Sequence, residues 1–390
     1  MIKKILKLSA INTLSAGFNF LSTILIVKSF GLSILGEFTV FNALISLFLL
    51  AYIILPPNYS VFKLQDEETY LQYFNFNYLF VSLLLIPIIF FIHVLNWSDV
   101  NSVLLYFYII FLAIQNYFDT FFQATNQLKN YFLALFVVSS IRFIGLLYLF
   151  LTDGHDFTLN LLIEVYLVPL AFVILALIFM NRATVLNTSI VGISQYFNYL
   201  KNNFLVLKSY YLGTVIKRIK DNSLVLLFSM IVSSEIIGLY ALFVKVGSVV
   251  LGQVRVFEAF LMNRSNLALI SSLKEIPLFV GFFVQIILLG IGLVYLKINT
   301  DSFYFISLFL YSLTVYPYLQ IILARSRLLS QYSNAVINQS YVFYIVLIGT
   351  FFVIAKIMKI ESLNYILIAT LLGDLLISQT LAYKLRKQNA

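Results

Sequence analysis

The chain has 390 residues, of which 62% are hydrophobic and only 11% are charged. Soluble domains carry about 25% charged residues to keep their surfaces dispersed in water, so this composition excludes a soluble protein. The chain has no cysteine, which excludes disulfides and thiolate metal sites. His93 and His155 have no acidic or histidine partner at ligand spacing, so we predict no metal site.

Apolar segments recur about every 25 to 35 residues along the whole chain, and a membrane span needs about 20 such residues. This spacing predicts an all-α polytopic membrane protein with about twelve transmembrane helices. The predicted spans are 8–29, 34–55, 73–95, 100–122, 130–151, 158–180, 204–231, 235–260, 276–296, 302–323, 335–357 and 362–383.

The distribution of basic residues predicts the orientation of these spans. With twelve spans both termini lie on one side, where 14 Lys and Arg residues fall, against 4 on the opposite side. Short basic loops stay in the cytoplasm, so both termini are predicted to be cytoplasmic. Much of the net charge of +9 is this bias, and we predict no nucleic-acid partner.

The longest connector between spans, residues 181–203, divides the chain into two sets of six spans. Its apolar residues recur at intervals of three and four, which predicts a short amphipathic helix on the cytoplasmic interface. These residues are Ile190, Ile193, Phe197 and Leu200. We therefore predict an N-terminal six-helix bundle, residues 1–180, and a C-terminal six-helix bundle, residues 204–390.

The two halves share a short sequence pattern. Residues Ile34–Phe41 match Ile236–Phe243 at a constant offset, with a glycine at the third position and aromatic residues at the fifth and eighth. Both segments open the second span of their half, where glycine allows two backbones to approach closely. The match predicts a duplication and two pseudo-symmetric bundles related by an axis along the membrane normal.

Residues 24–38, from Ile24 through Gly31 and Gly36 to Phe38, and residues 221–243 resemble the polysaccharide repeat-unit flippases. These proteins, which include flippases of O-antigen and lipopolysaccharide biosynthesis, belong to the multidrug/oligosaccharidyl-lipid/polysaccharide (MOP) exporter superfamily. The resemblance implies a bacterial inner-membrane protein that moves an oligosaccharide on undecaprenyl pyrophosphate outward by alternating access. It also implies partnership with a polysaccharide polymerase and glycosyltransferases. The chain departs from the related lipid II flippases, which have fourteen spans.

Several charged residues fall deep inside the predicted spans. Ionisable side chains facing lipid cost several kcal/mol, so they normally face a cavity or a partner. The deep cations are Arg142, Lys217, Arg218, Lys220 and Lys245. Only two acids, Asp221 and Asp374, are equally deep, which leaves a surplus of about three positive charges. Arg218 and Lys220 have no predicted partner on their own helix.

A surplus of fixed cations in a low-dielectric site attracts an anion, and arginine matches phosphate oxygens bidentately. We therefore predict that these five cations bind the pyrophosphate of the substrate. Asp221 and Asp374 are candidates for coupling to H⁺, to Na⁺ or to the membrane potential, and no cofactor is predicted. Candidates for the sugar-binding lining are Asn12, Asn19, Asn42, Gln115, Asn116 and Tyr311.

If span seven instead begins near Lys220, its cations lie at the cytoplasmic end of the helix and not inside the membrane. The 220–234 segment is only ~22 Å of helix, too short to cross the bilayer, which argues against it. On a span starting near residue 204 the four charges of Lys217–Asp221 lie ~20–26 Å from its end and cover an arc of roughly 160°.

Two other functions are compatible with twelve spans. A multidrug exporter of the same superfamily takes cationic drugs and needs an acidic, aromatic cavity, which the positive surplus opposes. A membrane polysaccharide polymerase or glycosyltransferase needs catalytic carboxylates or histidines in a pocket outside the bilayer. The predicted external loops are short and contain no acid pair, so we predict a transporter rather than an enzyme.

Overall fold

A computed structural model describes residues 2–49, 54–66, 69–78, 100–152, 157–182, 191–261, 306–307, 309–314, 317, 320–321, 324 and 334–389. These residues are almost entirely α-helical, which confirms the all-α prediction. The helices with defined bounds are α1 (Ile2–Phe48), α2 (Pro57–Asp66), α3 (Ser102–Ala124), α4 (Leu128–Leu151), α5 (Leu159–Met180), α6 (Ile193–Asn202), α7 (Phe204–Phe228), α8 (Ser234–Leu261), α9 (Asn334–Met358) and α10 (Leu363–Asn389).

Seven predicted spans correspond to helices α3, α4, α5, α7, α8, α9 and α10, with bounds that differ by a few residues. The predicted span 276–296, most of 73–95 and half of 302–323 lie outside the described residues. Within the described part of the chain, 6 helices are long and apolar enough to cross a membrane. These are Lys7–Phe48, Ser102–Ala124, Leu128–Leu151, Leu159–Met180, Val336–Met358 and Leu363–Lys384.

The first two predicted spans form one helix, α1, that is interrupted only at Gly31. Gly31 has φ 85° and ψ 167°, a backbone conformation that glycine adopts without a steric penalty. The chain therefore passes from one span to the next at a single residue. The second span was predicted to reach residue 55, which is wrong, because α1 ends at Phe48. The short helix α2 that follows was not predicted.

The helices pack around two main cores. The first is formed by α1, α3, α4 and α5 together with the first turns of α8, and the second by α7, α9 and α10. Large apolar side chains on the outside of the bundle form stripes of the kind that faces lipid. On α5, Val168, Phe172, Leu175 and Phe179 are 63%, 63%, 59% and 70% exposed.

The two matching segments lie against each other where α1 crosses α8. A Cβ atom added to Gly36 would overlap the backbone carbonyl oxygen of Ser234, and one added to Gly238 would overlap that of Leu32. The relation is reciprocal, since these Cβ positions lie 3.0 Å from the nitrogen of Gly238 and 3.2 Å from that of Gly36, respectively. We call this contact of Gly36 and Gly238 the glycine crossing. It joins the first half of the chain to the second through backbone atoms.

The connector contains helix α6, which confirms the predicted short helix. Ile193 and Phe197 are exposed on one of its faces, whereas Tyr196 is buried on another. The exposed apolar pair fits the predicted position at the membrane interface. Ile190 lies outside the described residues.

Tyrosine side chains attach α6 to the N-terminal half. Tyr196 donates a hydrogen bond of 2.8 Å to the Oδ1 atom of Asn77, and the hydroxyl groups of Tyr199 and Tyr59 lie 2.7 Å apart. Burial raises the pKa of Tyr196, so its hydroxyl remains a donor at physiological pH. The connector is therefore fixed to α2 and to the helical residues 70–78 rather than lying free.

The glycine crossing predicts a test by substitution. We expect Gly36→Ala to lower the thermal stability of the detergent-purified protein by about 1–3 kcal/mol, because the methyl group forces α1 away from α8. Gly17→Ala, on the same helix but with no atom within 4 Å of the added Cβ, is the matched control and should not destabilise. Equal melting temperatures for both variants would contradict the close approach.

Candidate functional site

Helix α7 carries the densest group of charges in the described part of the chain. It begins at Phe204 and continues without a break to Phe228, as predicted, so that a helix start near Lys220 is excluded. Lys217, Arg218, Lys220 and Asp221 therefore lie well inside it. Arg218 and Lys220 are at the two edges of the predicted arc, and they contact different neighbouring helices.

Arg218 points towards α1. Its Nη1 atom donates a hydrogen bond of 2.8 Å to the Oγ atom of Ser46, and the side chain is half-buried. This bond links the C-terminal half to the N-terminal half. No carboxylate among the described residues forms a salt bridge with Arg218. Asp221, three residues further along α7, attracts the guanidinium electrostatically but does not form a salt bridge with it.

Lys220 points to the opposite side, into the second core. The Nζ atom lies 3.7 Å from the Oδ1 atom of Asp374 on α10 and 3.6 Å from that of Asp221. It also lies 4.9 Å from the ring centre of Tyr344 and 5.9 Å from that of Tyr341. We call these five residues the Lys220 cluster. The expectation that Lys220 has no partner on its own helix is wrong, because Asp221 is such a partner.

The Lys220 cluster joins the two predicted coupling acids through one ammonium group. Asp374 is only 4% exposed and Lys220 only 9%, whereas Asp221 is exposed. A charge buried to this extent needs a counter-ion, since removing one member of a buried pair leaves the other uncompensated. Lys220 therefore neutralises Asp374 inside the C-terminal half, and Asp221 connects the pair to the helix surface.

Arg142 on α4 has a different environment within the N-terminal half. Its Nη1 atom donates a hydrogen bond of 3.2 Å to the Oδ1 atom of Asn19, and its guanidinium carbon lies 3.7 Å from the ring centre of Tyr166. Its Nε atom has no acceptor among the described residues. No described carboxylate forms a salt bridge with it either. Stacking on an aromatic ring stabilises a guanidinium without neutralising its charge.

One face of α1 connects the surroundings of the two arginines. Phe38, Asn42 and Ser46 are four residues apart and therefore lie on one face, and we call them the α1 stripe. The ring of Phe38 lies 4.5 Å from that of Tyr166, on which the guanidinium of Arg142 stacks. Ser46 accepts the hydrogen bond from Arg218. The stripe extends over ~12 Å of helix. Both arginines therefore lie beside the same face of α1.

Between these ends, Asn42 accepts a hydrogen bond of 2.8 Å from the hydroxyl of Tyr108 and donates one to the carbonyl oxygen of Phe38. Asn19 and Asn42, two predicted sugar-binding residues, thus lie beside the arginines. The other four are elsewhere: Asn12 is buried, Gln115 and Asn116 are half-buried on α3, and Tyr311 is buried against Gly247.

The remaining predicted cations are less enclosed. Lys217 is half-buried on α7, and Lys245 is exposed on α8. Two residues that contact the arginines, Ser46 and Tyr166, were not predicted from the sequence. For Ser46 a signal was available, because it follows Phe38 and Asn42 at helical spacing. For Tyr166 no pattern distinguishes it from the many other aromatic residues.

Comparison with known proteins identifies the fold. No protein-family model and no curated protein matches the chain. A solved structure of a MOP-superfamily transporter from Pyrococcus furiosus is similar, with a TM-score of 0.54, 14% identity, and coverage of 98% of this chain and 95% of that chain. The chain has the fold of the MOP-superfamily transporters. A eukaryotic MATE transporter, AtDTX14, matches with a TM-score of 0.50, 13% identity, and coverage of 98% and 96%.

The similarity confirms the predicted fold in its general form, a multi-pass membrane architecture of about twelve helices in two lobes. Both matched proteins are described as transporters. The Pyrococcus furiosus protein is described as having a binding pocket of reversed polarity that suggests a different function.

The Lys220 cluster predicts non-additive stability effects. We expect Lys220→Met to destabilise the purified protein by about 3–5 kcal/mol, because the carboxylate of Asp374 loses its counter-ion. The double variant with Asp374→Asn should regain most of this stability, since no buried charge then remains unpaired.

Thermal unfolding in one detergent compares these variants. Lys356→Met is the matched control, because Lys356 is exposed in the last turn of α9. If Lys220→Met melted at the same temperature as Lys356→Met, Lys220 would not be the counter-ion of Asp374.

Proposed function

We propose that this protein is a flippase that moves a polyprenyl-pyrophosphate-linked oligosaccharide from the cytoplasmic to the outer leaflet of a bacterial inner membrane. One observation supports this most directly. Arg142 and Arg218, one in each half, lie in helix interiors, and no described carboxylate forms a salt bridge with either. A pyrophosphate headgroup supplies the negative charge that these guanidinium groups lack.

The chemistry of arginine favours phosphate as the ligand. A guanidinium has five N–H donors in a planar fork, and Arg142 and Arg218 each donate one described hydrogen bond to a neutral side chain. Phosphate oxygens accept stronger, charge-assisted bonds than these neutral acceptors do. Coulomb attraction is also larger in a protein interior than in water. The pair thus favours an anion over a cation.

The salt bridges of Lys220 reduce the set of predicted cations that we assign to the phosphates. Because Lys220 is held between Asp221 and Asp374, we assign the phosphates to Arg142 and Arg218, with Lys217 and Lys245 as additional point charges. Asp221 and Asp374 are then the proposed coupling residues. Protonation or cation binding there would change the charge around Lys220, on the same helix as Arg218.

The proposed transport cycle uses both halves. The pyrophosphate and glycan enter from the cytoplasmic side, while the polyprenyl chain remains in lipid. The two arginines bind the phosphates, and the amides of Asn19 and Asn42 are available to sugar hydroxyls. The halves then rock relative to each other and release the substrate outside. A ligand bound to one arginine from each half makes different contacts in the two arrangements of the halves. A ligand must have such a difference in interaction to shift the equilibrium between two conformations.

A cation exporter is the second candidate, and the similarity to a MATE transporter over 98% of the chain is the observation that favours it. The two functions predict opposite effects of removing positive charge. Neutralising Arg218 should weaken the transport of an anionic lipid, whereas it should leave unchanged or strengthen the export of a cationic dye.

We expect Arg142→Ala and Arg218→Ala each to reduce flipping of an undecaprenyl-pyrophosphate-linked oligosaccharide about 10- to 100-fold. This is the loss that follows when a charge-assisted hydrogen bond to phosphate is removed. Flipping is measured in proteoliposomes, as the fraction of labelled glycan that becomes accessible to an external glycosidase.

Arg182→Ala is the matched control, because Arg182 is exposed beyond the end of α5, 5.4 Å from the ring of Phe179. It should keep the wild-type rate at equal protein level. Wild-type rates in both Arg142→Ala and Arg218→Ala would reject the anion site, and faster dye export by Arg218→Ala would favour the cation exporter.

A further inference from the structure

The hydrogen bond between Ser46 and Arg218 connects two helices that belong to different halves of the chain. Ser46 is half-buried in the last turn of α1, and its Oγ atom lies 2.8 Å from the Nη1 atom of Arg218 on α7. A serine in an apolar helix often bonds to the backbone of its own helix. Thr39 does so seven residues earlier, with its Oγ1 atom 2.7 Å from the carbonyl oxygen of Leu35. Ser46 is instead directed at the neighbouring half.

We propose that Ser46 is a positioning residue that holds the guanidinium of Arg218 before substrate binds and yields it to a phosphate oxygen when substrate arrives. This inference rests on the proposed function, because it assigns the phosphate to Arg218. Without bound substrate, Ser46 therefore accepts the hydrogen bond from an N–H group of Arg218 that the substrate needs. The substrate and Ser46 compete for the same N–H group.

The exchange favours the substrate for an electrostatic reason. A phosphate oxygen is charged, and a charge-assisted hydrogen bond is roughly twice as strong as one to a neutral hydroxyl. Until substrate arrives, the bond to Ser46 keeps the long side chain of Arg218 in one orientation. Breaking it also removes a link between α1 and α7. Substrate binding therefore loosens a contact between the halves at the place where charge is recognised.

The α1 stripe extends this effect to the other arginine. Ser46 lies two helical turns from Phe38, whose ring packs against Tyr166 beneath Arg142. A small movement of α1 relative to α7 therefore also changes the support of Arg142. The two arginines are connected through one rigid helix face rather than through a direct contact.

The experiment measures the binding of inorganic pyrophosphate to the detergent-purified full chain by isothermal titration calorimetry. We expect Ser46→Ala to bind about 2- to 10-fold more tightly than wild type, because a competing neutral hydrogen bond is gone. Ser46→Asp should bind at least about 10-fold more weakly, because its carboxylate occupies Arg218 permanently. Ser46→Thr retains the hydroxyl and should return to the wild-type affinity.

Thr39→Val is the control on the same helix, since the hydroxyl of Thr39 bonds to the carbonyl oxygen of Leu35 within α1. It should keep the wild-type affinity, and Arg218→Ala should lose most of the binding. A merely structural role for Ser46 would lower the melting temperature of Ser46→Ala without tightening pyrophosphate binding. That result would overturn the inference. The pyrophosphate affinity of Ser46→Ala decides the question even if Ser46→Asp fails to fold.

The two proposals can fail separately. If wild type binds pyrophosphate and Arg218→Ala does not, but Ser46→Ala behaves as Thr39→Val does, the inference about Ser46 is wrong and the anion site stands. If Arg218→Ala binds as wild type does, or wild type does not bind, the anion site itself is wrong and the role of Ser46 falls with it.

Discussion

The close approach of α1 and α8 at Gly36 and Gly238 sets the positions of the other functional elements. Because neither glycine has a side chain, backbone atoms of the two halves come into contact, which no larger residue allows at this distance. The crossing fixes the register of α1 against the C-terminal half. Ten residues further along α1, about 15 Å, Ser46 lies within hydrogen-bond distance of Arg218. The glycine crossing thus determines where Arg218 of the C-terminal half meets Ser46 of the N-terminal half.

The structure places charge inside an apolar bundle in two ways. The charge of Lys220 is balanced by two carboxylates and lies near two tyrosine rings, all of them in the C-terminal half. Among the described residues, Arg142 contacts an amide and a stacked ring, Arg218 contacts a hydroxyl, and neither forms a salt bridge. Buried charge normally requires a counter-ion, so the two arginines differ from Lys220, which has carboxylates within salt-bridge distance. The proposed function assigns Lys220 to charge compensation within the protein and the two arginines to the ligand.

The sequence predicted elements whose physical cause is local. Helix bounds such as those of α4 and α7 followed from the length of apolar segments, because a bilayer requires about 20 of them. The ten-residue helix α2 was missed, since it is too short and polar to resemble a span. The partner of Lys220 on α10 could not be predicted, because more than 150 positions separate Lys220 from Asp374 and only the packing of α7 against α10 brings them together. For Ser46 the helical spacing from Phe38 and Asn42 was available in the sequence, but its partner on α7 was not.

The attachment of α6 has a mechanical consequence. Tyr196 and Tyr199 fix this helix to the N-terminal half, and α6 ends at Asn202 while α7 begins at Phe204, so a single residue, Asn203, joins the anchored helix α6 to α7. In the proposed transport cycle, a change of angle between α6 and α7 therefore takes place at one residue rather than along a long flexible linker.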